Sequence, residues 1–474
     1  MNVHNLDDGA AVAPAVMRAA KSGPVVVPAA PAVDAADPPW TPAPLAWYSV
    51  AMISLVAVFG SLDQGAMSLM VNNIKRDMQL SDVQMGLLVG AAYSTAYFLC
   101  GLPMARVSDS GKRKFILPGG LALFSLGAAL CGIAQSFTQF VVCRLVMGAG
   151  MSVKGPVSVS LIPDLIPRKH LQRAFSVYNL SIQLSMGVAM MLGGFLLGHL
   201  AKVPNFVVPG LGEIYDWQVV FFVFGAPGIL VALLMMATMP EPVRRGRKTQ
   251  GKAPLKDLGN FLFKSKATWV LIPILLASAI GGIENSGIGT WRPAFYERTY
   301  GWKPQDFGPI VGASTFITVP IGLILGTLLS EYLAKKKHYD SHLKVVFISH
   351  VISLPLTIVA PLMPTIWLAL GCTMLGSVVT MMAAPAQLTA MQIVTPNEMR
   401  AQVNALYMLT IAVIGIGFGP VVVGGLTTYV FQESELRLAM VAVASVGGPL
   451  SVLLIWRTLK PYGELQRQLI EREG

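Results

Sequence analysis

The sequence predicts an all-α membrane protein with twelve transmembrane helices in two six-helix halves. Of its 474 residues, 54% are hydrophobic and 12% are charged, which is about half the charged fraction of a typical soluble domain. Apolar runs of about 20 residues, long enough to cross a bilayer, recur along the whole chain. A cationic cluster at residues 244–248 separates six such runs from six more.

The spans are predicted from apolar runs that end at turn or charge signals. They cover residues 45–71, 82–104, 115–135, 139–165, 172–200, 217–239, 268–296, 306–333, 343–362, 365–392, 402–430 and 436–456. The predicted domains are an N-terminal tail at 1–43, two halves at 44–239 and 268–456, a central loop at 240–267 and a charged C-terminal tail at 457–474. The N-terminal tail is rich in alanine, proline and valine without periodicity, so we expect it to be disordered and cytoplasmic.

The positions of lysine and arginine predict the orientation. Cations concentrate in the even-numbered connections and the C-terminal tail, and the main exceptions are Lys75 and Arg76 in the first connection. By the positive-inside rule both termini are cytoplasmic, in a multi-pass protein of the inner or plasma membrane. The net charge of +11 lies mostly in these short hydrophilic segments, so we expect a lipid bilayer and no nucleic acid as a partner. We expect a monomer.

Two cations stand inside the apolar fourth span, an expensive position unless they face a wet cavity or a buried partner. Arg144 and Lys154 are ten residues apart, about 15 Å along a helix. Both are predicted to bind an anionic group of the substrate. The alternative for Lys154 is a pair with Glu284 and no ligand contact. Pro156 is expected to kink this span.

The first span contains a carboxylate, Asp63, and an intramembrane carboxylate indicates function by default. A contact between Asp63 and Arg144 that forms and breaks during transport would switch the protonation of Asp63. We therefore predict proton coupling through Asp63 and Arg144, with Glu284 as a third participant. The alternative is a permanent structural ion pair.

The seventh span places Glu284 and Asn285 in a glycine-rich stretch at residues 281–289. Glycine at this density weakens a helix, and broken helices near the membrane midplane often mark transporter sites. Glu284 and Asn285 are therefore predicted to bind substrate. Trp291 and Tyr296, further along the span, are expected at the membrane interface.

Gln64, Tyr97 and Gln387 are further polar positions in the spans and are predicted to contact substrate. The alternative for Tyr97 and Gln387 is a hydrogen bond to a neighbouring helix. The chain carries no nucleotide-binding loop or hydrolase motif, so no catalytic residue or cofactor is predicted. His338 and His342 are four residues apart, but they belong to a charged loop that we expect to be solvated, so no metal site is predicted. The four cysteines all lie in apolar segments without a CxxC motif, so no disulfide framework is expected.

Residues 105–114, Ala-Arg-Val-Ser-Asp-Ser-Gly-Lys-Arg-Lys, resemble the loop signature of the major facilitator superfamily between the second and third spans. Ala105 replaces the family's first glycine, and Ser110 replaces a usual base. The resemblance implies that three residues gate the cytoplasmic side, because a carboxylate near a helix end pairs with cations. These residues are Asp109, Lys112 and Arg113.

The fourth span adds to the resemblance, since Arg144-x3-Gly148-x-Gly150 is similar to a family motif whose arginine is linked to proton coupling. Three stretches resemble the spinster-like branch of the superfamily. They are Asp63 with residues 74–88, residues 156–164 and residues 291–296. The chain departs from this branch at Gln64, where the branch has arginine, and at Met151, where it has glutamate.

Together these features predict a secondary active transporter that works by alternating access around a midplane site. The predicted substrate is a small organic or amphiphilic solute with an acidic group, moved with protons. An exporter of lipids or hydrophobic compounds is the alternative that the spinster resemblance implies. A non-transporting receptor or a membrane-embedded enzyme is the alternative from another class, although the tails and the loop at 240–267 are short for a signalling domain.

Overall fold

The computed structural model describes residues 40–203, 206–208, 212–244, 259, 261–263, 265, 267–336, 338–396 and 399–473. Most of the predicted tail at 1–43 and of the predicted loop at 240–267 therefore lies outside the described residues. Within the described part, twelve helices are long and apolar enough to cross a membrane, which confirms the predicted number. We number them α1 to α12.

The first six are α1 (Ala43–Leu69), α2 (Asp82–Gly86, a π-helix at Leu87–Ala92, and Tyr93–Ser110), α3 (Arg113–Cys131), α4 (Phe137–Met151 and Lys154–Leu165), α5 (Arg168–Leu200) and α6 (Asp216–Thr238). The second six are α7 (Thr268–Tyr300), α8 (Pro304–Lys335), α9 (Ser341–Val359, then a 3-10 turn at Ala360–Leu362), α10 (Ile366–Ile393), α11 (Arg400–Thr410, a π-helix at Ile411–Phe418, and Gly419–Tyr429) and α12 (Leu436–Glu473). A short helix, Val71–Met78, follows α1, and an antiparallel ribbon of β1 (Phe206–Val208) and β2 (Gly212–Ile214) precedes α6.

The exterior of the bundle is apolar and the interior holds charges, the reverse of a soluble protein. Trp269 and Leu230 are 74% and 69% exposed, whereas Arg113 and Arg144 are almost completely buried. Exposed apolar side chains on this scale suit contact with lipid tails, and buried charges on spanning helices suit an internal polar site.

The last helix is longer than the sequence predicted. Residues 457–473, expected to form a charged tail, continue α12 without a break. Tyr462 is fully buried, and Gly463 lies close to Asp340 at the start of α9. Arg467 and Glu471 pair on the exposed face at a distance of 2.8 Å, the i,i+4 spacing that favours a helix. One packed face and one charged face explain why this segment is helical.

The helix break falls in α4 and not in α7. The stretch at residues 281–289, where a break was expected, is part of one continuous helix. Its glycines provide close packing, because Gly282 and Gly287 meet Gly415 and Gly419 of α11. The fourth span is interrupted at residues 152–153, and Pro156, which has no N–H to donate, explains the interruption.

The π-helical segments of α2 and α11 lie against each other. A Cβ atom on Gly90 would come within 2.5 Å of the carbonyl oxygen of Gly417, and one on Gly86 would come equally close to that of Pro420. Only a residue without a side chain allows the two backbones to approach so closely. This contact joins the two halves.

Candidate transport site and its closure

The buried centre of the first half is an ion pair between α1 and α4. Nη1 of Arg144 donates to Oδ2 of Asp63 at 2.6 Å, and both side chains are at most 5% exposed. Arg144 also donates to the carbonyls of Leu88 (3.1 Å) and Val89 (3.3 Å) in the π-helical part of α2. Its guanidinium lies 5.2 Å from the centre of the Tyr93 ring. One arginine therefore ties three helices together, and the predicted Asp63–Arg144 contact is present.

The second oxygen of Asp63, Oδ1, is buried and has no hydrogen-bond partner among the described residues. A small void of about 10 Å³ lies beside Asp63, between α1, α3 and α6. It has room for about one water molecule. The carboxylate is therefore half-paired, and the free oxygen is a chemically reasonable place for a proton.

Lys154 stands at the break in α4 and faces α1. A Cβ atom on Gly60 of α1 would lie 3.4 Å from the ammonium nitrogen of Lys154. This ammonium forms no ion pair with a described residue. The Tyr97 hydroxyl is near Gly155, and the Tyr97 ring stacks on Tyr93 at 6.1 Å. Tyr97 and Lys154 are therefore both close to the break in α4.

The alternative pair of Lys154 and Glu284 does not form in this structure. Glu284 points toward α12, where a Cβ on Gly447 or Gly448 would lie 3.7 Å from its Oε2 atom. Lys154 lies against α1 instead. Glu284 therefore does not join the Asp63–Arg144 pair, whose partners are on α1, α2 and α4.

The other predicted substrate contacts differ in how they are bonded. Gln387 on α10 is 8% exposed and donates to the hydroxyl of Ser278 on α7 at 2.6 Å, which is the helix-to-helix bond that was its alternative. Gln64 is half-buried and Asn285 is exposed, and neither makes a hydrogen bond with a described residue. Gln64 and Asn285 therefore keep their polar groups available.

Trp291 and Tyr296 are buried, so the expectation that they lie at the membrane interface is wrong. Trp291 donates to the carbonyl of Pro420 on α11 at 2.9 Å. The Tyr296 hydroxyl is 3.2 Å from that of Thr373 on α10. Both residues fix α7 against its neighbours within the second half.

Three residues are predicted to gate the cytoplasmic side, and among them Arg113 is buried and hydrogen-bonded. It is 1% exposed and donates to Asp164 on α4 (2.6 Å), to the Ser160 hydroxyl (2.7 Å) and to Glu241 after α6 (3.2 Å). Asp164 and Ser160 lie on α4, and Glu241 follows α6. Lys112 precedes α3, and its carbonyl accepts from the N–H groups of Phe115 (3.1 Å) and Ile116 (3.3 Å). The side chain of Lys112 has no hydrogen bond to a described residue, and that of Asp109 lies outside the described part.

The structure adds a charged network that the sequence did not predict. It joins the two halves on the side of the odd-numbered connections and consists of Asn72, Lys75, Asp82, Glu297, Arg298 and Glu433. Asp82, completely buried, accepts two bonds from Arg298 (2.7 and 2.9 Å) and one from Lys75 (2.7 Å). Lys75 also contacts Glu433 at 2.7 Å.

The remaining bonds of the charged network extend it across both halves. Asn72 donates to Glu297 at 2.6 Å and accepts from Arg298 at 2.9 Å. The backbone N–H of Asp82 donates to Glu433 at 2.9 Å. One helical turn deeper, the Ser68 hydroxyl donates to the carbonyl of Thr290 on α7 at 2.6 Å. The halves are therefore tightly joined on this side.

The charged network also sets the charge state of Glu433. Burial would raise the pKa of this carboxyl, but the bonds from Lys75, from the Asp82 N–H and from Thr428 outweigh it and hold the pKa below its ordinary value of 4.5. Above the network lies a cavity of about 350 Å³, lined by Arg76, Gln79 and Leu80 together with network residues.

One signal pointed to the charged network in the sequence. Lys75 was an exception to the pattern of cations in even-numbered connections. The structure explains it, because Asp82 and Glu433 neutralise Lys75. The acidic partner Glu433 lies 358 residues away, so sequence spacing could not reveal the contact.

Comparison with known proteins agrees with this architecture. The family model described as Major Facilitator Superfamily matches residues 53–420. An MFS-type efflux pump of Mycolicibacterium smegmatis is 26% identical over 393 residues, which cover 81% of this chain and 84% of the pump. A 3-(3-hydroxy-phenyl)propionate transporter of Escherichia coli is 25% identical over a region that covers 61% of this chain and 65% of the transporter.

A solved structure is also similar in fold. It is a bacterial homolog to the human lysosomal transporter Spinster in an inward-facing and unoccupied conformation. It is 22% identical and superposes with a TM-score of 0.72, over 91% of this chain and 99% of that one. This likeness confirms the predicted fold.

Proposed function

The chain belongs to the major facilitator superfamily, and we propose that it is a proton-coupled member that carries a small organic anion by alternating access. Membership makes it a secondary transporter of small organic solutes and not an enzyme. The halves at 44–239 and 268–456 are the moving bodies of this proposal. The observation that carries it is the half-paired Asp63, buried against Arg144.

The coupling follows from the bonds of Arg144. Protonation of Asp63 removes the charge that attracts Arg144, which then retains the Leu88 and Val89 carbonyls and the face of Tyr93. The link between α1 and α4 weakens, and a cation becomes available to an anionic substrate. Loss of the proton restores the pair. Glu284, buried beside α12, is a second carboxylate for this role, at a separate position.

The anionic class of substrate follows from Lys154. A cation within a spanning helix is costly without a partner, and the described residues give it none. A carboxylate on the substrate supplies that partner, with Gln64 and Tyr97 beside it. The similarity to a transporter of 3-(3-hydroxy-phenyl)propionate, which is a carboxylate at neutral pH, supports this class.

We place the odd-numbered connections outside the cell and both termini in the cytoplasm of the inner or plasma membrane. Cations in the even-numbered connections support this orientation. The charged network then closes the extracellular side, and the conformation is inward-facing, as in the similar solved structure. In this proposal Asp109, Lys112 and Arg113 close the cytoplasmic side in the opposite state. The monomer is the functional unit.

Gradient-driven uptake into proteoliposomes tests the coupling. Uptake of a panel of organic carboxylates and of lysophosphatidylcholine is measured for wild type, for Asp63→Asn and for the matched control Asp77→Asn. Asp77 lies outside the spans. We expect Asp63→Asn to lose pH-gradient-driven carboxylate uptake and to retain counterflow exchange, whereas Asp77→Asn behaves as wild type.

Two results would contradict the proposal, one its proton coupling and the other its substrate class. Equal gradient-driven uptake by Asp63→Asn would make the Asp63–Arg144 pair structural and direct attention to Glu284. Transport of lysophosphatidylcholine without transport of any carboxylate would replace the anion proposal with lipid export.

A further inference from the structure

In the second half, polar side chains link α7 and α10. These two helices are bridged at two levels, by Ser278 with Gln387 and by Tyr296 with Thr373. Ser278 and Tyr296 are eighteen residues apart, which is five helical turns, so both lie on the same face of α7. The face of α7 between the two bridges therefore looks toward α10.

Four residues occupy that face between the bridges, and one of them, Gly282, packs against Gly415 of α11. Asn285, Gly289 and Arg292 all lie within about 40° of the line that joins Ser278 to Tyr296. Asn285 is exposed, although it lies near the middle of a 33-residue helix. A Cβ on Gly289 would meet nothing within 4 Å. The face of α7 between the bridges is therefore accessible at Asn285 and Gly289.

Arg292 is the charged member of this face, and it is unpaired. Its Nε atom is buried without a hydrogen-bond partner, and the guanidinium forms no ion pair with any residue that the structure describes. Three other arginines of the helices contrast with it. Arg113 and Arg144 each have a carboxylate within 2.6 Å, and Arg298 has one within 2.7 Å.

An unpaired arginine in a membrane span costs several kcal/mol unless something binds it. A guanidinium offers a planar pair of donors that matches a carboxylate. Arginine side chains on a helix lean toward its N-terminus, which directs Arg292 toward the level of Gly289 and Asn285. The open space beside Gly289 gives an anion room to approach, and Asn285 adds a polar group.

We infer that Arg292, with Asn285, forms a carboxylate-binding subsite on the face of α7 that looks toward α10. This inference rests on the proposed function and assigns to the second half its own contact with the anion.

Binding to the purified full-length protein in detergent tests the subsite. Thermal-shift titrations use a panel of aliphatic and aromatic carboxylates that includes 3-(3-hydroxyphenyl)propionate and nicotinate, with the amide of each carboxylate that binds. The variants are Arg292→Gln, Arg292→Lys and the matched control Arg457→Gln, whose arginine is exposed on α12. We expect Arg292→Gln to weaken carboxylate binding at least tenfold and to lose the preference over the amide.

The outcomes separate the subsite from the proposed function. Carboxylate binding by Arg292→Gln within twofold of wild type would overturn the subsite and leave anion transport standing. Absence of binding to wild type by every carboxylate would overturn both. If Arg292→Gln is not monodisperse, Arg292→Lys decides, because lysine keeps the charge but loses the planar donor pair. It should weaken binding at least threefold, and unchanged affinity would contradict the subsite.

Discussion

At the scale of single residues, the buried cations differ in whether their donors are used. Arg144 uses Nη1, Nε and Nη2 on three acceptors, one carboxylate and two backbone carbonyls. Lys154 and Arg292 have no such partners among the described residues. A fully bonded arginine suits a switch that holds helices, whereas an unpaired cation suits contact with a ligand.

Arg144→Lys is expected to reduce gradient-driven uptake at least tenfold while the protein remains folded. Lysine keeps the charge that pairs with Asp63, but it cannot span the Leu88 and Val89 carbonyls with a fixed fork of donors. Hydrogen bonds to charged groups contribute about 1.5–3 kcal/mol each, so the α1–α2–α4 arrangement loosens. Proteoliposome uptake beside Arg457→Lys measures the effect. Uptake within twofold of wild type would show that charge alone suffices.

At the scale of elements, the crossing of α2 and α11 depends on glycines placed at π-helical segments. Gly86 and Gly90 both face backbone atoms of α11, which cannot move aside as a flexible side chain can. Gly101, further along α2, has nothing within 4 Å of a Cβ position. The same helix therefore offers a test position and a control.

Gly90→Ala is expected to open the odd-numbered side, because the new Cβ would lie 2.5 Å from the Gly417 carbonyl oxygen. Overpacking of this kind costs about 1–3 kcal/mol, which the halves avoid by separating. Double electron–electron resonance between spin labels at the exposed positions Arg76 and Ser434 measures the separation. We expect longer distances in Gly90→Ala and wild-type distances in Gly101→Ala. Wild-type distances in Gly90→Ala would mean that α2 adjusts within its own half.

At the scale of the whole molecule, the charged network holds the two halves together on one side. Because Glu433 has a lowered pKa, its contribution to closure is complete above its ordinary value of 4.5 and is lost as the pH falls through the lowered value. Closure should therefore not respond through Glu433 near neutral pH.

We expect the distance between labels at Arg76 and Ser434 to stay constant from about pH 7.5 to 5.5 in wild type. Glu433→Gln removes the charge that faces Lys75 and should lengthen the distance at neutral pH. Glu435→Gln is the matched control, since Glu435 lies on the same loop and pairs with Arg437 on the surface. A wild-type opening near pH 6 would show that another group controls closure.

The fold class, the number of spans and the Asp63–Arg144 contact could be predicted from the sequence. Hydrocarbon excludes unpaired backbone and charge, so apolar runs report spans directly, and a charge inside a run, such as Asp63 or Arg144, is conspicuous. The helical extension of α12 was not conspicuous, because amphipathic charged segments resemble tails in composition.

Which of the other polar groups meet depends on the tertiary structure. The contacts of Lys75 with Glu433, of Gln387 with Ser278 and of Trp291 with Pro420 each join residues more than a hundred positions apart. Their formation depends on how each helix is rotated and shifted against its neighbours, which composition and periodicity do not specify. For the same reason the sequence left open whether Lys154 pairs with Glu284 or binds a ligand, and the folded chain turns the two side chains toward different helices.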